Sequence, residues 1–108
     1  MKSLNRVELI GHVGADPEIR TTRGGIRVAS LTLATNRMVG GEEVADWHHL
    51  TFWDHLAGLV EQYVRKGDPL WVEGQLRYST SVENEQKRYW TEIVVSNVIF
   101  LGTRRECQ

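Results

Sequence analysis

Apolar and polar residues alternate along most of this chain, and the alternation breaks decisively once. Val7, Leu9 and Val13 fall on one side of a first strand, with Arg6, Glu8 and His12 on the other. Ala29, Leu31, Leu33 and Thr35 define a second strand, residues 47–53 a third and residues 70–78 a fourth. Residues 88–101 read as a long fifth strand whose period slips near Ser96 and Asn97, as at a β-bulge. Turn-forming residues separate these runs: 14–17, Gly24-Gly25, Gly40-Gly41, Gly67-Asp68-Pro69 and the polar stretch 83–87. The exception is Leu56, Leu59, Val60, Tyr63 and Val64, spaced as the stripe of an amphipathic helix with Tyr63 on its core face. Asp54 is placed to cap its start, and Gly67 its end, after Arg65 and Lys66, whose charges suit the negative helix terminus.

The order is three strands, one helix, two strands. That predicts an all-β fold, a five-stranded OB-fold barrel with one α-helix between strands three and four. The chain has 108 residues, enough for one domain. Residues 1–102 form that domain and 103–108 a short C-terminal tail, with no repeat or linker between them. Hydrophobic residues at 41% and charged residues at 25% are ordinary for a globular protein. No apolar run is long enough to span a bilayer, and the N-terminus lacks the apolar region of a signal peptide. A reducing, cytoplasmic setting without membrane contact is therefore expected, in keeping with the single Cys107.

Candidate chemistry concentrates on the third strand. Trp47, His49, Thr51 and Trp53 share one side, while His48, Leu50 and Phe52 share the other and supply the core face. Two tryptophans thus stand on the face expected to be wet, about 20 Å apart along an extended strand. One reading is a stacking platform for nucleic-acid bases, each worth roughly 1–3 kcal/mol. The other is that a loop or a second subunit covers them. Trp71 faces away from Leu70 and Val72, alongside Glu73, Gln75 and Arg77, and Tyr78 and Trp90 flank the last hairpin, a region OB-folds use on oligonucleotides.

Charge sharpens this picture through its distribution. The net charge is only -1, yet between Ile19 and Gly41 lie four arginines (Arg20, Arg23, Arg27, Arg37) and no acid. Arg77, Lys87 and Arg88 bracket the final hairpin. Arginine both pairs with phosphate and stacks on bases, which suits a sequence-tolerant binder. Each taken singly is also explained as a solvated turn residue.

Catalysis and cofactors are not expected. His48 and His49 point to opposite sides of one strand, and neither CxxC nor HExxH occurs. The glycine pairs precede no phosphate-loop lysine. An adaptor that mainly contacts other proteins is the remaining non-catalytic alternative.

Longer stretches resemble the bacterial single-stranded-DNA-binding protein family. SLNRVELIGHVGADPEIR is similar to that family's first strand and turn, and VASLTLAT to its second strand. ADWHHLTFWDHLAGLVEQYVRKGDPLWVEGQLR is similar to its longest signature, and RYWTEIVVSNVIFLG to its closing strand. The resemblance spans residues 3–102 and implies an OB-fold that assembles as a homotetramer or, in some branches, as a dimer of two-domain chains. It also implies binding of single-stranded DNA with little sequence preference in replication, recombination and repair, hence a nucleoid-associated protein. The family's stacking aromatics map onto Trp47 and Trp53. Two further aromatics usual in the family have no direct counterpart: Asn36-Arg37-Met38-Val39 supplies none after the second strand, and in the last hairpin only Tyr78 stands near. The family's acidic C-terminal tip, which recruits repair and replication enzymes, is not among residues 103–108: either the tail has been removed, or the chain is a short, specialised or phage-like member in which recruitment through the tip is not expected.

Overall fold

The computed structural model describes residues 2–102. The tail 103–108, with Cys107, lies outside the described residues. The elements run β1 (Val7–Val13), β2 (Glu18–Thr21), β3 (Arg27–Val39), β4 (Glu42–Trp53), α1 (His55–Tyr63), β5 (Pro69–Glu83) and β6 (Gln86–Phe100). The five predicted strands are β1, β3, β4, β5 and β6, and the helix joins β4 to β5.

The sheet order is β1-β5-β6-β4-β3-β2, and a further β1–β3 pairing closes the first five strands into a barrel. The ladders are antiparallel except for the short β4–β6 contact, where Leu50 meets Ile93 and Thr51 meets Val94 in parallel. Closure brings β1 hard against β3. At Gly11 any Cβ would be driven into the Ala34 carbonyl oxygen, so only glycine lets the two backbones approach. The expected bulge is present. Glu73 pairs with Asn97 but Gly74 pairs with Val95, which leaves Ser96 as the extra residue of β6. Ser96 Oγ donates to the Glu73 carbonyl at 3.1 Å, and Asn97 Nδ2 to the Glu73 carboxylate at 3.0 Å, filling the gap in the ladder.

Inward residues of the strands, among them Leu33, Leu50, Phe52, Leu70, Val72 and Ile93, fill the barrel, and Ala57, Val60 and Val64 plug one end. The predicted helix is correct in place but differs at its ends. Asp54 sits at the cap position, yet its side chain makes no capping bond. Instead its backbone turns sharply (φ 58) and its N–H donates to the Arg27 carbonyl at 2.7 Å. The helix stops at Tyr63, so Gly67 is not its cap; it belongs to the next turn, where its N–H donates to the Val13 carbonyl at 2.7 Å. Arg65 does serve the helix end, donating to the carbonyls of Glu61 (3.1 Å) and Val64 (2.7 Å). Tyr63, expected in the core, is exposed: as the last helical residue it overhangs the barrel and leans on Phe100, with ring centroids 5.7 Å apart.

Strand β2 was not anticipated. Four residues are too few to display a period, and only Ile19 packs inward.

Candidate nucleic-acid interface

Strand parity places the β4 tryptophans as the sequence predicts. Leu50 and Phe52 are fully buried, whereas Trp47 is 57% and Trp53 is 43% exposed. His48, on the inner side, is held by Thr35 Oγ1 at 2.9 Å. Trp47 is seated on the end of β1: a Cβ at Gly14 would strike its ring, so glycine there makes room for the indole. Trp53 lies opposite Val28 of β3, and Val28 lies opposite Arg20 of β2. Arg20 and Trp53 therefore stand in one row on one face, two strand spacings or about 10 Å apart.

The β5–β6 ribbon forms the other wall. Cross-strand pairs share a face, so Arg77, Ser79, Trp90, Glu92 and Val94 lie on one side. Tyr78, Lys87, Tyr89 and Thr91 lie on the other. An open hollow of about 380 Å³ is lined by Trp53, Arg77, Tyr78, Ser79, Glu92 and Val94. Trp90, 44% exposed, continues this face towards the hairpin tip. Tyr78 and Trp90 flank the hairpin as the sequence suggests, and the register puts them on opposite sides of the ribbon. Sequence reasoning passed over Glu92 altogether. This half-buried carboxylate accepts hydrogen bonds from Thr51 Oγ1 and, at 2.9 Å, from Ser79 Oγ, tying β4, β5 and β6 together. The signal was available: an acid at the strand position between Trp90 and Val94 points wherever they point.

The cations divide into two groups. Among the described residues, Arg20, Arg23, Arg77, Lys87 and Arg88 are exposed and enter no ion pair. Arg77 donates only to the Gln75 side chain, at 3.3 Å. Arg27 is paired with Glu61 of the helix at 2.8 Å, and Arg37 with Asp46 at 2.8 Å. Register sets Arg37 on the side of the β3–β4 ribbon opposite Trp47. Trp71 is also remote. It is paired with Ile10 and Ile99, its Nε1 donates to Glu8 at 2.8 Å, and six residues or about 20 Å of strand separate it from Arg77. The hollow thus brings together Trp53, Arg77 and Tyr78, with Arg20 in the Trp53 row and Arg88 on the Arg77 side of the ribbon. Trp47 stands six residues or about 20 Å along β4, Lys87 lies on the other side of the β5–β6 ribbon, and Trp71 and Arg37 lie apart.

The description of the Single-strand binding protein family matches residues 4–101. The chain belongs to that family. Single-stranded DNA-binding protein 1 of Chlorobaculum tepidum is 37% identical over 110 residues, covering 95% of this chain and 68% of the relative. The single-stranded DNA-binding protein of Rickettsia typhi is 43% identical over 103 residues, covering 88% of this chain and 68% of the relative. A Plasmodium falciparum SSB solved in complex with ssDNA superposes with a TM-score of 0.88 at 36% identity, covering 94% of this chain and 98% of that one. The family assignment accords with the closed barrel, its single helix and the exposed tryptophans. Among the described residues no group of three or more His, Cys, Asp or Glu could hold a metal ion, and no helix is long and apolar enough to cross a membrane.

Proposed function

We infer that this protein binds single-stranded DNA with little sequence preference and shields it during replication, recombination and repair, without catalysing a reaction. The observation that carries the reading is the row of Trp53, Val28 and Arg20 beside the hollow that Arg77 completes. Bases stack on Trp53 and Trp47, and phosphates meet Arg20, Arg23, Arg77, Lys87 and Arg88. Arg27 joins once a phosphate displaces its exposed partner Glu61, an exchange that costs little because surface ion pairs are worth only about 0–1 kcal/mol, whereas Arg37 stays with Asp46 on the far side of its ribbon. Tyr78 borders the hollow, and Trp71 serves the protein's own assembly rather than the strand. Ile10 and Ile99 beside Trp71 leave an apolar row on the outside of the barrel, which supports a homo-oligomer, a tetramer by family likeness. A nucleoid-associated location follows from the ligand.

Titration with poly-dT tests the reading. Tryptophan emission is expected to fall on binding, and affinity to drop as salt rises because phosphate contacts release counterions. Unchanged emission together with no salt-sensitive retention of single strands would overturn it.

A further inference from the structure

A carboxylate on the floor of a phosphate-binding face needs a reason. Glu92 lies in the hollow between Trp53 and Arg77, where it would repel a phosphate. Its two oxygens are fixed by separate donors, Oε2 by Thr51 and Oε1 by Ser79. Thr51 is itself buried, so the carboxylate is held in place by a rigid strand and has little freedom to swing away. An ionised carboxylate offers about four lone-pair sites and can only accept. Two are spent on the hydroxyls, and the carboxylate, which lines the hollow, takes no further hydrogen bond among the described residues.

We propose that Glu92 reads the edge of the base seated in this hollow, favouring bases that carry an exocyclic amino group over thymine. The inference rests on the preceding reading that this face holds single-stranded DNA. Cytosine presents its 4-amino hydrogens, which a carboxylate accepts. Thymine presents a carbonyl oxygen at the same place and a second one across the ring, so its lone N3–H reaches the carboxylate only with two acceptors set against it. Trp53 stacks either pyrimidine alike, which leaves Glu92 as the discriminating group. The resulting bias is modest, because one seat among several is selective and the remaining contacts are made to phosphates and ring faces.

The test compares affinities for oligo-dC and oligo-dT of equal length in wild type and Glu92→Gln, whose amide can donate to thymine. The dC-to-dT affinity ratio is expected to fall about fivefold or more in the variant, whatever its starting value, since each good base-edge contact contributes roughly 1–3 kcal/mol of discrimination. A second measurement needs no variant: an oligomer of 2-pyrimidinone nucleotides, which are cytosines without the 4-amino group, should bind wild type several-fold more weakly than oligo-dC. A ratio unchanged in Glu92→Gln, or equal binding of the 2-pyrimidinone oligomer, overturns the proposal while leaving single-strand binding intact. A uniform loss of affinity for every oligomer assigns Glu92 a structural tie only and overturns it too. If wild type binds none of them, the underlying reading fails with it.

Discussion

Trp53 is the residue on which most depends. It is exposed although its strand neighbours Thr51 and Phe52 are buried, and its ladder partner Val28 gives it a firm base. Trp53→Ala is expected to weaken single-strand binding by roughly 1–3 kcal/mol while leaving the melting temperature nearly unchanged, as read by titration and thermal denaturation. The arginines make a sharper distinction. Removing a true phosphate contact lowers the slope of log affinity against log salt by about 0.7 on a single strand. Arg20→Ala should show that loss, whereas Arg37→Ala, on the far side of its ribbon and paired with Asp46, should leave the slope alone. Equal slopes in the two variants would contradict the division of cations drawn from register. The tryptophans were legible in the sequence because strand parity alone fixes their side. The arginines were not, because an acid-free run of sequence says nothing about Glu61 and Asp46, which arrive from another element and from across a hairpin.

At the scale of elements, the strands and the helix stripe could be read because each repeats its period several times. Short pieces and boundaries could not. β2 has four residues, and the helix end at Tyr63 is decided by the Arg65 hydrogen bonds and by the turn that Asp68 and Asp16 tie through the backbone N–H groups of Arg65 and Lys66. The β5–β6 hairpin carries a visible defect at its tip. Asn84 and Glu85 both adopt positive φ, 51° and 64°, the geometry of a type I′ turn. Asparagine tolerates that conformation, but glutamate pays about 1–2 kcal/mol for it. Glu85→Gly removes the strain and returns about 0.4–1 kcal/mol of it as extra freedom in the unfolded chain. The net expectation is a gain of about 0.5–1 kcal/mol in stability, measured by denaturant unfolding, and lower mobility of Trp90 on the same ribbon. A loss of stability would mean that Glu85 makes a compensating contact.

For the whole molecule, the question is what covers the outer side of β1, β5 and β6. Ile10 is 65% and Ile99 is 53% exposed, and they lie on either side of Trp71 in successive paired strands. Such a row has no role in a strand-binding groove that lies about 20 Å away by strand rise. Its polar neighbours are already matched internally, with Glu8 accepting from Trp71 and Glu73 bound to Arg6 at 2.6 Å. A surface whose charges are satisfied at its edge and whose centre is apolar suits a second copy of the chain better than water. Ile10→Arg places a charge in that row beside Trp71, where burial without a partner costs several kcal/mol. The variant should therefore fall to a smaller mass in sedimentation while its fold, judged by circular dichroism, persists. Binding then separates by strand length. An oligonucleotide short enough for one barrel uses only the Trp53 face and should bind the variant as it binds wild type. A long strand loses the gain from linked sites and should bind it by about 100-fold or more less tightly. An Ile10→Arg protein with unaltered mass would remove this face from the assembly, and equal loss on short and long strands would show that the substitution had reached the DNA site itself.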